Sequence, residues 1–368
     1  MHFQLQRNDL MDIIATASRA IATKSTMPIL EGILVEAAGD KLTLMCTDMM
    51  LGISCSVPAD IIEEGRVVMP GRMFAEIVRK IPDGTVDVSV NEQLSATIRC
   101  MGSRTTLAAL DAEEFPELPA VSGSSPITLQ KNVLRDMIRH TLFATATEET
   151  RPILTGALLE REGEETLMVA LDGYRLALWR CADGQGGDPV HAVIPGKSLG
   201  EIAKILDDGE EEMDLSIDGS HLMVCLENTT IVTRLLEGEF IKYRQIIPGD
   251  FSTRVKINTR ALSDSIDRAS LMVREGKSNL IRLAVEEDKL IITANSDIGN
   301  VYEEIPITLD GKTLEIAFNA RYFSDMLKVL EDEEIELNFS SNVSPCVVKP
   351  VEGDSYIYLI LPVRIYGA

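Results

Sequence analysis

Three eight-residue segments of this chain carry a cation, an acid and a second cation at positions i, i+4 and i+7: Arg72, Glu76 and Arg79; Lys197, Glu201 and Lys204; Arg321, Asp325 and Lys328. Cations spaced in this way can neutralise the phosphates of a nucleic-acid backbone, a contact that carries no base information and weakens as salt rises. Solvated helix cations paired with acids at i+4 are the alternative for any one of the three. Carboxylates offer a second chemistry, since Asp48 and Asp172 occupy like positions after apolar runs. General acid and base work needs two such groups in one pocket, whereas these two fall in different repeats within turn sequences. The histidines, His2, His140, His191 and His221, have neither metal nor triad spacing. The cysteines, Cys46, Cys55, Cys100, Cys181, Cys225 and Cys346, are scattered without CxxC pairing and read as small buried side chains. The segment from Glu237 to Phe240 lacks the lysine and the spacing of a phosphate-binding loop. No metal, cofactor or catalytic residue is expected.

The three cationic segments lie 125 and 124 residues apart, about a third of the chain, so repeats decide the fold. Phe74, Ile77 and Val78, and their counterparts, fall at helical spacing on a face away from the cations. A second helical segment repeats in the same frame from Leu5 to Ile14, from Leu129 to Ile138 and, more loosely, from Ile257 to Ile266. Between the helices lie paired apolar runs that read as strands: Pro28 to Val35 with Lys41 to Cys46, Pro152 to Leu159 with Thr166 to Ala170, and Leu280 to Val285 with Lys289 to Thr293. The expected fold is α+β, three tandem similar domains, each with two helices on antiparallel sheets. Boundaries are placed at 1–122, 123–251 and 252–368, in the Pro, Ser and Gly stretch from Phe115 to Pro126 and near Ile247 to Thr253. Each domain is near the size that buries its own core.

The chain is 45% hydrophobic and 25% charged, with a net charge of −23. Such acidity alone argues against nucleic acid. Its distribution does not: the six helical segments 7–22, 70–81, 129–145, 196–206, 259–274 and 319–330 together carry +7, and everything else −30. Helices facing one way would give a mildly positive side and a strongly negative one. Aromatic residues make up 5%, without the aromatic and basic alternation that stacks single-stranded bases, so duplex backbone is the better match. The N-terminal residues lack a signal-peptide pattern and no apolar run reaches membrane length, so no membrane association and a cytoplasmic location are expected. A protein-only scaffold of three domains without a DNA role is the competing reading; it gives no reason for all six helices to differ in charge from the rest.

The three-fold repeat, Pro28 to Gly32, Pro152 to Gly156, Leu171 to Leu176, Phe318 to Tyr322 and Leu361 to Arg364 make the chain resemble the bacterial DNA polymerase III beta subunit family, the replicative sliding clamps. The resemblance runs from Met1 to about Ile365, with Tyr366 to Ala368 as a small extension. It implies a non-catalytic accessory subunit that forms a head-to-tail homodimer, a ring of six domains with helices lining the hole. Double-stranded DNA would be held topologically and without sequence specificity, with the polymerase catalytic subunit, the clamp loader and other clamp-motif proteins as partners.

By the same resemblance Arg72, Arg79, Lys80, Arg139, Lys197, Lys204, Arg268, Arg321 and Lys328 would face the DNA, with Lys24 and Arg151 on loops at the rim. The dimer contact would join the edge strand from Ser103 to Ala109, with Thr105 and Leu107, to Leu271, Met272 and Val273. Thr105 stands where the family usually has an aromatic. A partner-peptide cleft would be lined by Leu154, Gly173, Tyr174, Arg175, Leu176, Ile241, Ile246, Tyr322, Val343, Leu361, Pro362, Val363 and Arg364, with Arg175 and Arg364 as polar holds. Tyr174 replaces a frequent histidine and Pro345 a small polar residue, both altering the cleft wall. From the residues alone, Leu171 to Leu176 is equally a turn opening the next hairpin, and Leu271 and Met272 equally helix core.

Overall fold

The computed structural model describes residues 1–122, 126–148, 150–182, 186–274, 279–297 and 299–364. Residues 123–125 of the first expected linker and the extension from Tyr366 to Ala368 lie outside the described residues. Six α-helices are present among the described residues: α1 (Arg7–Ala17), α2 (Gly71–Lys80), α3 (Lys131–Thr141), α4 (Gly196–Ile205), α5 (Thr259–Arg274) and α6 (Ala320–Leu327). They fall two to a repeat. Each first helix follows a short strand, His2–Gln6, Ile127–Gln130 or Thr253–Asn258, and each cationic segment is the second helix.

One expectation needs correcting. The apolar runs beginning at Pro28 and Pro152 do not start as strands: Pro28–Glu31 and Pro152–Thr155 are single 3-10 turns, and the strands begin at Gly32 and Gly156. Proline occupies the first turn position, where its missing N–H has no partner to lose and its fixed φ suits a helical start. These turns matter for the next helix. A Cβ at Gly71 would lie 2.9 Å from the Glu31 carbonyl oxygen, and one at Gly196 2.8 Å from that of Thr155. Helix and turn therefore meet backbone to backbone.

Residues 1–131 with 204–235 form one compact unit. A five-stranded sheet in it ends on the edge strand Ser103–Ala108, and a nine-stranded sheet runs through both the first and the central repeat. The strand Leu51–Pro58 pairs with Thr229–Arg234, Leu51 opposite Thr233 and Cys55 opposite Thr229. Helix α1 buries Leu10, Ile14 and Ala17, and α2 buries Phe74 and Val78, the apolar faces that helical spacing assigns.

Residues 132–203 with 236 onward form the second unit, built on a twelve-stranded antiparallel sheet. The same join recurs here, as Arg175–Ala182 pairs with Tyr356–Ile360, Arg175 opposite Ile360 and Trp179 opposite Tyr356. Sheet hydrogen bonding is thus continuous at both repeat junctions, and the two compact units divide the central repeat between them. In the last repeat α6 buries Phe323, Met326 and Leu327, with the Phe323 ring edge-on to Phe318 at 5.2 Å.

Candidate functional site

The turn from Asp172 to Arg175 organises one side of a cleft in the second unit. Gly173 adopts φ +95, a left-handed conformation open to glycine. Asp172 Oδ1 accepts from the backbone N–H groups of Tyr174 (2.9 Å) and Arg175 (3.1 Å), closing the turn. The first repeat builds the same turn, where Asp48 Oδ1 accepts from Met50 and Leu51 and Met49 takes φ +72. Asp48 and Asp172 are thus each engaged as turn caps.

The Arg175 side chain leaves this turn inward and is 8% exposed. Its Nε donates to Asp172 Oδ2 at 3.0 Å and a terminal nitrogen to Asp325 Oδ2 at 2.8 Å. The guanidinium lies 4.8 Å from the Tyr322 ring centre and 5.5 Å from that of Phe143. Charge-assisted bonds on its edge and aromatic faces on its planes leave it one orientation. Tyr322 stacks on Tyr174 at 6.3 Å, and burial together with the Asp172 charge raises its phenol pKa. The Leu361 N–H donates to the Tyr174 carbonyl and the Val363 N–H to that of Ala317, both at 2.8 Å, fixing the C-terminal segment beside the turn.

A cavity of about 510 Å³ opens here, lined by Leu154, Gly173, Tyr174, Arg175 and Tyr322 among the expected residues. Leu176 and Ile241 pack with Leu154 in the apolar cluster beneath it. Tyr243, in the same cluster, donates its hydroxyl to the buried Glu160 at 2.5 Å, and burial foremost pushes that phenol pKa up. Ile246, Val343, Leu361 and Val363 present exposed apolar surface, Pro362 is half-buried and Arg364 exposed. These six are not among the residues lining the cavity. Residues that sequence reasoning missed line it instead: Thr145, Ala146, Thr147, Glu148 and Thr150, beside Arg151, Asp172 and Arg321. The apolar Leu154 signals the floor, but polar loop residues carry no comparable pattern.

The eleven cations expected to face DNA, from Lys24 to Lys328, are all exposed. In α2 the apolar residues turn inward and Arg72, Arg79 and Lys80 outward. Glu76 pairs with Arg79 (2.5 Å) and Lys80 (3.7 Å), where the sequence spacing also allows Arg72. In α4, Lys197 and Lys204 point away from buried Leu199 and Ile202. Two cations are held by strand or loop acids: Arg139 by Glu331 at 2.6 Å, and Arg268 by Glu303 through two bonds of 2.9 and 2.6 Å. Each arginine holds its partner carboxyl below the usual range.

On the edge strand Ser103–Ala108, Thr105 and Leu107 are half-buried, and among the described residues the strand pairs on the side of Ser95–Cys100. Leu271 is 56% exposed and Met272 half-buried, whereas Val273 points into the core at 1%. Four of the six cysteines are buried, and burial raises the thiol pKa of Cys46, Cys55 and Cys346. Among the described residues no cluster of His, Cys, Asp or Glu is arranged to hold a metal, and no helix is long and apolar enough to cross a membrane.

Comparison with known proteins covers nearly the whole chain. Residues 1–119, 128–242 and 244–364 match the N-terminal, central and C-terminal domain models of the DNA polymerase III beta subunit. The beta sliding clamp of Bacillus subtilis is 36% identical over 378 residues, with both chains covered in full. The crystal structure of the DNA polymerase sliding clamp from Bacillus subtilis superposes with a TM-score of 0.97 at 35% identity, again over both whole chains. That of the DNA polymerase beta subunit of Streptococcus pyogenes gives 0.96 at 28% identity, covering 99% of this chain and 100% of the other. With three matching domains in tandem on an α+β, antiparallel framework, this chain belongs to the DNA polymerase III beta subunit family, the beta sliding clamps.

Proposed function

We propose that this protein is a processivity factor that encircles duplex DNA without reading its sequence and tethers the replicative polymerase through the cleft at Arg175 and Tyr322. The observation that carries this reading is the thrice-repeated helix whose apolar face is buried while its cations stay exposed. Two copies of the chain, joined head to tail, form the ring. Thr105 and Leu107 of one copy meet Leu271 and Met272 of the other, which satisfies an otherwise open sheet edge. Domains 1–122, 123–251 and 252–368 supply the six segments of that ring. Cations on α2 to α6, with Lys24 and Arg151, contact phosphates weakly. Weak contacts suit a clamp, since a closed ring stays on DNA by topology while tight phosphate binding would stop it sliding.

The protein acts without catalysis, in the cytoplasm. The cleft takes a short linear segment from the polymerase catalytic subunit, the clamp loader or other partners. Two or three buried Leu or Phe side chains at ~1.5–3 kcal/mol each, less ordering costs, give roughly micromolar affinity, so partners exchange. Single-particle images of the purified protein test the reading. A closed ring of pseudo-six-fold outline with a duplex-sized hole supports it; monomers without a hole overturn it.

A further inference from the structure

Asp325 lines one cavity of the second unit and pairs with wall residues of another. The latter is the cleft of about 510 Å³, with Arg175, Arg321 and Tyr322 in its wall; the former is a groove of about 390 Å³ between α5 and α6, lined by Ser270, Arg321, Ser324, Asp325 and Lys328. Three cations surround this one carboxylate. Oδ2 is 2.8 Å from an Arg175 nitrogen and 3.6 Å from Arg321 Nε, and Oδ1 is 3.8 Å from Lys328 Nζ. Only the first distance is a hydrogen bond; the other two are charge contacts that leave Arg321 and Lys328 free to turn outward. Asp325 itself is 21% exposed, enough to be screened but not enough to be replaced by water as the partner of a buried guanidinium.

The arrangement differs from that of the first repeat. In the first repeat the corresponding acid, Glu76, is satisfied by Arg79 and Lys80 of its own helix. Asp325 instead reaches 150 positions along the chain to an arginine that the turn at Asp172 has brought inward.

We infer that Asp325 is a positioning residue serving both sites at once: it holds Arg175 against Tyr322 in the partner cleft and offsets the charge of Arg321 and Lys328 toward DNA. The inference rests on the clamp reading above. A consequence is coupling of positive sign. A bound peptide that fixes Arg175 in place keeps Asp325 engaged with it and leaves Arg321 and Lys328 freer to serve phosphate. Phosphates that draw those two away leave Asp325 more fully to Arg175. By linkage the effect is the same in both directions, and with partly exposed charges it is about two- to fivefold, near the low end for coupled sites.

The test uses the full-length protein, a fluorescent Leu and Phe containing hexapeptide with one carboxylate, and a fluorescent duplex of about 30 base pairs, each titrated alone and together. Asp325→Asn keeps the shape and removes the charge. It is expected to weaken peptide binding about fivefold, to strengthen duplex binding about threefold with a salt dependence steeper by about one ion, and to abolish the coupling. Asp325→Glu restores the charge and returns duplex affinity to that of the unaltered protein. Asp310→Asn, a change of equal charge at an exposed strand position, leaves peptide binding unchanged. Opposite shifts cannot come from a damaged fold, which weakens both. Shifts of the same sign, or none, in Asp325→Asn overturn the inference while the clamp reading stands. If the unaltered protein binds neither peptide nor duplex, the clamp reading falls and the inference with it.

Discussion

The Arg175 guanidinium lies 4.8 Å from the Tyr322 ring centre, joining a turn of the central repeat to a helix of the last one inside a single compact unit. That contact sets the wall of the cleft, because Tyr174 stacks on the other member of the pair, Tyr322, at 6.3 Å.

Tyr322→Ala is therefore expected to weaken binding of an apolar partner peptide at least tenfold, by about 1.5–3 kcal/mol, since it removes an aromatic anchor and uncovers Arg175. The residue is half-exposed, so the thermal unfolding midpoint should stay within a few degrees. Fluorescence anisotropy of a labelled peptide measures the first effect and calorimetry the second.

Reversing one cation in each repeat, Arg72→Glu, Lys197→Glu and Arg321→Glu together, is expected to lower duplex affinity and flatten its dependence on salt by about three ions. All three side chains are exposed, so circular dichroism should be unchanged. An unaltered salt slope would remove these helices from the DNA-facing surface.

Leu271→Asp should raise the dimer dissociation constant by tenfold or more, because it sets a charge where about 1.5–3 kcal/mol of apolar burial is expected. Its exposure of 56% in the isolated chain means that the protomer fold is spared. Sedimentation velocity over a dilution series reads the effect; a dilution curve like that of the unaltered protein would place the dimer contact elsewhere.

His140 supplies a pH dependence. It lies against Trp179, Tyr356 and Tyr358, with a ring nitrogen 2.7 Å from the Tyr358 hydroxyl. Burial, helped by the Arg139 charge, pushes its pKa down to about 4. The unfolded chain takes up this proton near pH 6.5 and the folded chain only near 4, so the neutral ring's contribution is full above 6.5 and is lost as pH falls between those values. The loss is about 1–3 kcal/mol. Urea midpoints at pH 7.5 and 4.5 should separate more for the unaltered protein than for His140→Gln, and equal separations would contradict the assignment.

How much of this was legible in the sequence follows from the range of each interaction. Helix α2 and its two repeats were readable because their buried and exposed faces follow a 3.6-residue period within ten residues. The turn at Asp172 was readable for the same reason, Asp-Gly being a local signal. Pro28–Glu31 and Pro152–Thr155 were misread as strand because a short apolar run has no period long enough to tell a strand from a 3-10 turn. The partners of Arg139, Arg175 and Arg268 were invisible: Glu331, Asp325 and Glu303 lie 192, 150 and 35 positions away, brought close by the packing of helices and strands distant in sequence. For the same reason sequence spacing offers Glu76 three cations, and only rotamer geometry selects Arg79 and Lys80.

Retention on DNA of different topology tests the central claim most directly. Protein loaded onto a nicked circular duplex should remain bound at high salt with a half-life of many minutes, and should be lost within seconds once a single restriction cut linearises the circle. Equal retention on circular and linear DNA at high salt, or rapid loss from both, would contradict an encircling clamp.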